Sequence, residues 1–347
     1  MIAVVTGSTG FIGSHLVDTL LAQGATVRAL YRPETSPARR DARVASYEAD
    51  LLDDRSLRES AVWRGATHVF HLAGVTKGRT LARLRAGNVF PTANVLAAIA
   101  AQSGTPPRIV LVSSQAAGSP ASAADHPIRE SDRPIPVEAY GRSKLQAEQA
   151  AVRYRDTLPI TIVRPSAVYG PRDRDFLAAF RQASGRVAFH AVPRDHLLSI
   201  VHVHDLVTAL VAAGTAPAAL GKTYFVANDE PVSWRQLYAL IAEAAGAQPL
   251  HLQLPLAGLR LAACIADLVG AMTGRDLLLN RNKIALARPR WWLCDASLAR
   301  DELGWSPAVP LQDGIRETYL WYLAQGWLRA PKRSAPGDAE HVSAHLN

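Results

Sequence analysis

A short apolar run at residues 2–6 leads straight into Gly7-Ser-Thr-Gly-Phe-Ile-Gly13, and a helical apolar pattern follows over 13–23. No other feature of the chain constrains its fold as much. Glycines 7, 10 and 13 let a strand turn tightly, let a pyrophosphate approach the backbone, and let a helix pack closely on a sheet. The helix N-terminus then offers free N–H groups and the positive end of its dipole. Three glycines alone would be an ordinary turn. Their place between a first strand and a first helix points to a dinucleotide, held by Gly7, Thr9, Gly10, Phe11, Ile12 and Gly13.

The strand–helix alternation continues. Strands are predicted over 26–31, 68–72, 108–113 and 160–164, with helices over 89–102 and 140–155. This is the pattern of βαβ units, hence an α/β fold with a Rossmann-type, doubly wound parallel sheet. After Pro165 the pattern loosens. Helices are expected over 176–183, 205–213, 233–245, 257–272 and 311–324, and strands over 200–203 and 224–226. Residues 1–168, with 200–227 returning to them, read as the nucleotide-binding domain. Residues 169–199 and 228–329 read as a smaller, mostly helical substrate region. The tail, 330–347, lacks an apolar period and is expected to be disordered.

Composition excludes several classes. The chain starts on a strand pattern with no basic leader, and Cys264 and Cys294 have no Cys-x-x-Cys spacing. A cytoplasmic protein without a disulfide framework or zinc site is the expectation. The net charge of +8 comes from scattered arginines rather than a basic, aromatic-interleaved block, so nucleic acid is not the expected partner. The apolar stretch 254–273 contains Arg260 and Asp267, which marks an amphipathic helix rather than a membrane span, with weak surface attachment left open. His202 and His204 could begin a metal site, but no further ligand follows at a convincing spacing. A strand-to-helix connection with Asp205 as N-cap fits better, so no metal is expected. Trp291 and Trp292 suit either a substrate pocket or the core.

Tyr140 and Lys144 stand four residues apart on one helix face, where an ammonium beside a phenol can favour the phenolate. The chain has 33 arginines and only five lysines, so a lysine at 144 is a pointed choice. The second strand ends in Leu30-Tyr31-Arg32, with no acid in that run. An acid there would bind a ribose 2′-OH and an arginine a 2′-phosphate, so NADP is favoured over NAD.

With the glycine turn, Ser113-Ser114, Tyr140-x-x-x-Lys144 and Arg164-Pro-Ser-Ala-Val-Tyr-Gly-Pro171 in that order, the chain resembles the extended short-chain dehydrogenases/reductases. These are the NAD(P)-dependent epimerases, dehydratases and related dehydrogenases. Asp50-Leu51, His71-Leu-Ala-Gly74, Asn88, His202-Val-His-Asp205 and Asp301-Glu-Leu-Gly-Trp-Ser-Pro307 extend the resemblance to about residue 328. It implies that Tyr140 is the general acid/base, that Lys144 holds the nicotinamide ribose and lowers the tyrosine pKa, and that Ser114 bonds the substrate oxygen. It further implies that Asp50 and Leu51 frame the adenine, that Leu72, Ala73, Gly74 and Asn88 run under the cofactor, and that Pro165 lies near the nicotinamide. A homodimer through the helices at 89–102 and 140–154 is also implied, with Ala147, Ala150, Ala151 and Tyr154 suited equally to interface or core.

Departures from the family's patterns narrow the chemistry. Gln115-Ala116 replaces the Asp-Glu pair of sugar-nucleotide dehydratases, so elimination is not expected. The run Leu197-Leu-Ser-Ile-Val-His202 is apolar where epimerases place a diphosphate-clamping arginine, although Arg288 or Arg290 could substitute. With the NADP preference, this favours the dihydroflavonol-reductase and 3β-hydroxysteroid-dehydrogenase branch. The expected reaction is hydride transfer between nicotinamide and a secondary alcohol or ketone of a largely apolar small molecule. A nucleotide-sugar epimerase with tightly bound NAD is the alternative. A non-catalytic cofactor-binding protein would have no need of both Tyr140 and Lys144.

Overall fold

The computed structural model describes residues 1–78, 80–255, 258 and 285–329. The helix expected over 257–272, Cys264 and the tail 330–347 lie outside the described residues. In chain order the strands are β1 (Ile2–Thr6), β2 (Thr26–Tyr31), β3 (Ala45–Glu48), β4 (His68–His71), β5 (Arg108–Val112), β6 (Ile160–Pro165), β7 (Ala167–Tyr169), β8 (Val187–His190), β9 (Leu197–Leu198), β10 (Ile200–His202), β11 (Thr223–Val226), β12 (Val232–Ser233), β13 (Leu250–Gln253) and β14 (Trp291–Trp292). The helices are α1 (Phe11–Ala22), α2 (Asp54–Glu59), α3 (Leu81–Ala100), α4 (Ala139–Val152), α5 (Leu177–Ala183), α6 (Val203–Thr215), α7 (Trp234–Ala245), α8 (Ser297–Leu303) and α9 (Leu311–Ala324).

Seven strands form one sheet in the order β11-β6-β5-β4-β1-β2-β3, every neighbouring pair parallel. Side chains alternate across a strand, and the sheet uses both faces. Ala3 and Val5 of β1 pack with Leu16 and Leu20 of α1 and Leu206 and Leu210 of α6. Val4, between them, packs on the other face with Leu57 of α2 and Val95 and Ile99 of α3. Two buried faces explain why these strands read as continuous apolar runs. The strand order reverses between β1 and β4, which opens a crevice at their carboxyl ends.

The second region is mixed rather than mostly helical. A third core cluster joins Phe180 of α5, Leu237 and Ile241 of α7 and Ile315, Tyr319 and Tyr322 of α9. Short strands edge it: β8 pairs with β13, and β9 pairs with both β12 and β14. These strands of two to four residues carry no sequence period of their own.

Element boundaries differ most at α3, which starts at Leu81 rather than 89, with Thr80 capping it through Arg83 N. Gly87 and Pro91 disguise its first turns as a loop. β3 was not expected, because its residues are mostly exposed and lack alternation. Asp205 is not the N-cap of α6. That position is His202, and the Asp205 carboxylate instead accepts from Ala308 N (2.9 Å) and Val309 N (3.1 Å). Trp305 Nε1 donates to Asp205 O at 3.0 Å, so the Gly-Trp-Ser-Pro segment is bound to the start of α6.

Candidate active site

The glycine turn closes on backbone. Gly7 has φ +75°, and a Cβ there would lie 2.8 Å from Ala73 N; one on Gly13 would lie 2.2 Å from Gly7 O. Gly10 caps α1 without a side chain, which leaves the first N–H groups of the helix facing outward. A cradle of this shape fits a nucleotide diphosphate.

Along β5 the chain reaches Ser113 and Ser114. Ser114 Oγ accepts from Ala116 N at 3.2 Å, which folds the strand end into a turn. Helix α4 is brought onto that turn by Gly141, whose added Cβ would stand 2.1 Å from Ala116 O. Glu138 caps α4 by accepting from Tyr140 N and Gly141 N. This sets the Tyr140 phenol beside Ser114, a contact that favours the phenolate.

Desolvation nevertheless pushes the Tyr140 phenol up to about 12, with the neighbouring Ser114 opposing it. The lowering by Lys144 expected from the i, i+4 spacing is not what this arrangement gives. Lys144 is buried, and its Nζ donates to Val112 O at 2.7 Å. Burial brings its own pKa down to about 8, against the pull of Glu148. Glu148 in turn receives Ser113 Oγ and both Nε (2.9 Å) and Nη2 (2.7 Å) of Arg164. This buried bidentate pair locks α4 to β5 and β6 beneath the serine–tyrosine pair.

A cavity of about 950 Å³ joins the two centres. Gly7, Thr9, Gly10, Phe11, Ile12, Gly13, Leu72, Gly74, Ser114, Tyr140 and Pro165 all line it, as expected for them from sequence. Lys144 lies just under its floor. Ala73 N donates to Thr6 Oγ1 (3.2 Å) and packs behind the turn. Asn88 spends its amide on Val75 N (2.8 Å), Val75 O (3.0 Å) and Ser143 Oγ (2.8 Å), fixing the segment after β4 against α4. Asp50 and Leu51 are not among the cavity's walls: the Asp50 carboxylate accepts from Leu52 N (2.9 Å), and Leu51 packs toward the α2–α3 core.

Arg32 is also outside. Its side chain is 67% exposed and pairs with Glu34 at 3.7 Å. Arg39, seven residues on, lines the cavity instead, carried there by the short turn Pro37–Arg39. Other wall residues had no motif to reveal them: Lys77, Arg172, Asp175, Trp321 and Trp327. Lys77 meets Asp175 at 2.7 Å, Arg172 meets Asp18 at 2.9 Å, and Arg174 sits 4.6 Å over the Trp327 ring. Trp291 and Trp292 do not reach this cavity, and Arg290 is occupied by Asp195 (3.2 Å) and the Trp291 ring. Ala147 and Ala151 are buried within the chain.

Next to Asp175 a second hollow of about 380 Å³ is walled by Phe176, Ala179, Phe189, Trp234 and Tyr238, with His190 among them. Among the described residues no helix is long and apolar enough to cross a membrane.

This fold and cleft are those of a nucleotide-dependent enzyme, and residues 3–227 match the model of the NAD dependent epimerase/dehydratase family. The chain belongs to that family, the extended short-chain dehydrogenases/reductases, and is an NAD(P)-dependent oxidoreductase or epimerase within it. It is similar to a ceramide reductase of Caulobacter vibrioides, 30% identical over 94% of this chain and 96% of the relative. It is also similar to a 4-hydroxy-2-methyl-3-oxo-4-farnesyl-3,4-dihydroquinoline-1-oxide ketoreductase of Stigmatella aurantiaca, 29% identical over 90% and 93%. In fold it matches a UDP-glucose 4-epimerase of Thermotoga maritima, with TM-score 0.75 and 21% identity over 94% of this chain and 99% of that one.

Proposed function

We propose that the chain is a reductase or dehydrogenase that moves a hydride between NAD(P) and a secondary alcohol or ketone on a largely apolar small molecule. The observation that carries this reading is that the Ser114–Tyr140 pair and the glycine cradle open into one cavity. The bound nicotinamide would supply or accept the hydride. Tyr140 would give a proton to the carbonyl oxygen in reduction, or take it from the alcohol in oxidation. Ser114 would donate a hydrogen bond to that oxygen. Lys144, with two N–H groups beyond the one spent on Val112 O, would hold the ribose and bias the phenol toward phenolate once a partner lies above it.

The hollow walled by Phe176, Phe189, Trp234 and Tyr238 supports an apolar substrate, as does the likeness to a ceramide reductase and to a ketoreductase of a farnesyl-bearing quinoline oxide. Residues 169–199 and 228–329 are taken as the substrate region. Gln115 is buried away from the cavity, in keeping with a site that does no elimination. NADP is the favoured cofactor, with its 2′-phosphate assigned to Arg39 rather than Arg32. A homodimer through α3 and α4 would cover Phe90 and Val152, both exposed on those helices.

A nucleotide-sugar epimerase is the second reading, favoured by Arg172 and Arg174 in the cleft wall. NADPH oxidation across apolar ketones and UDP- and dTDP-sugars separates the two. We expect turnover with the ketones, and a kcat lower by about 10²–10⁴-fold in Tyr140→Phe with cofactor affinity retained. Epimerised sugars with NAD co-purifying, or an unaltered rate in Tyr140→Phe, would overturn the proposal.

A further inference from the structure

Arg172 and Trp321 line both the main cleft and another hollow, of about 260 Å³, on whose wall stand His204 and Glu317. Three side chains from separate elements meet there. His202 ends β10, His204 belongs to the first turn of α6, and Glu317 comes from α9. Their donor atoms all lie within 4.8 Å of one another. Glu317 Oε2 is 3.7 Å from His202 Nε2, and Glu317 Oε1 is 3.9 Å from His204 Nδ1. Neither distance is a hydrogen bond.

His202 is the informative member. It is fully buried, and neither ring nitrogen has a hydrogen-bond partner. Buried imidazoles normally find a partner, because an unpaired polar atom forfeits its hydration for nothing in return. The other aromatic neighbours supply only ring contacts: Tyr169 at 5.1 Å and His204 at 4.9 Å between centroids.

We propose that His202, His204 and Glu317 form a binding site for a divalent transition metal, zinc by the chemistry of its donors, which clamps α9 to the start of α6. Two imidazoles and one carboxylate are a recurrent zinc donor set, with water in the fourth position. Metal–ligand bonds of about 2.0–2.2 Å in a tetrahedron set donor atoms about 3.3–3.5 Å apart. These two contacts use different oxygens of Glu317; with one donor atom per residue the trio spreads to as much as 4.8 Å, so the donor–donor edges are too long by up to about 1.5 Å. The side chains of His204 and Glu317 are half-exposed and free to close them. Water can enter from the adjoining hollow.

Two nearby basic side chains do not block the site. Arg172 is held by Asp18. His15, whose ring lies 5.1 Å from that of His204, has its Nε2 bonded to Pro171 O at 2.8 Å. The His-x-His spacing offered a pair with no further ligand in reach along the chain: Glu317 lies more than a hundred residues on. Trp321 follows Glu317 by one helical turn, so metal at this site would also fix that wall of the main cleft.

The test uses the full chain, stripped with chelator and titrated with Zn²⁺ alone. The readouts are zinc retained after desalting, the thermal midpoint, and the visible absorption of the Co²⁺-loaded protein. We expect about one zinc per chain, tetrahedral Co²⁺ bands and a raised midpoint. His204→Ala and Glu317→Gln, both at half-exposed positions that a folded chain tolerates, should each weaken binding by about tenfold or more. His251→Ala, at the separate His190–His251 pair, should change nothing. No retained zinc would overturn the proposal. So would retention that is equal in wild type, His204→Ala and Glu317→Gln. Because none of these readouts depends on turnover, they stand or fall separately from the reductase reading.

Discussion

At one end of the cleft the wall is backbone: Gly7, Gly10 and Gly13, a bare helix N-terminus, and the segment 72–74 pressed against them. At the other end the wall is side chains, drawn from Lys77, Arg172–Asp175, Trp321 and Trp327, and beyond them the aromatic hollow. The first end is tight to a fraction of an ångström and nearly without side-chain character. It can serve any ligand with a diphosphate, and chemistry common to a whole family can be built on it. The second end is loose, mixed in charge, and assembled from four distant segments. There, a change of one residue alters what binds without disturbing the hydride and proton transfers. The difference separates a fixed reaction from a variable substrate.

Gly13→Ala tests the tight end and should have the largest effect. The new methyl meets the backbone carbonyl of Gly7, which cannot yield as a side chain can. We expect about 1–3 kcal/mol of lost stability from overpacking. Cofactor affinity should fall by roughly tenfold or more, because the turn must open. A melting curve and an NADPH titration that both match wild type would show that the cradle is not rigid.

Arg39→Ala and Arg32→Ala compare two cations near that end. NADPH affinity should fall about tenfold in Arg39→Ala, with NADH little changed, as for loss of one charge-assisted phosphate contact. Arg32→Ala should behave as wild type. The reverse outcome would return the 2′-phosphate to the exposed loop.

Phe189→Ala probes the loose end. Its ring is about half-exposed and lines the aromatic hollow. Removing it should raise KM for an apolar ketone by roughly fivefold, about 1 kcal/mol of apolar contact, without changing kcat or NADPH affinity. A fall in cofactor affinity would erase the distinction between the two ends.

The last test concerns pH and touches neither end's ligand. His71, between Thr6 Oγ1 (2.8 Å) and Thr92 Oγ1 (3.1 Å), is held neutral by burial, its pKa brought down to about 3. Below pH 6.5 the unfolded chain gains a proton there that the folded chain refuses. Stability therefore falls as pH drops from 6.5 toward 3, by at most about 1.4 kcal/mol per pH unit for this group. His71→Gln should flatten that part of the unfolding profile. An unchanged slope would assign the acid sensitivity to other groups.

Much of the tight end was legible. The turn, strands β1 and β2, and the positions of Ser114, Tyr140 and Lys144 are written in local spacing and short motifs. Where the reading slipped, a long-range contact had overridden a local signal. Arg32 stands where a phosphate-binding arginine belongs, yet Glu34 pairs with it in solvent while the Pro37–Arg39 turn carries Arg39 inward. Asp205 looked like a helix cap and instead holds residues 308–309. Lys144 shares a helix face with Tyr140, but it donates its hydrogen bond to the Val112 carbonyl, and burial decides the tyrosine's pKa.

The sequence by itself determined the class of fold and the glycine turn, because each rests on residues within one or two consecutive elements, where backbone geometry turns spacing into position. Only the tertiary structure decided which cations face the cleft, how the buried Glu148–Arg164 pair sits beneath Ser114, and that Glu317 meets His202 and His204. Those are contacts between residues 16 to more than 100 positions apart. They depend on how helices and sheet pack, and packing is a property of the whole chain.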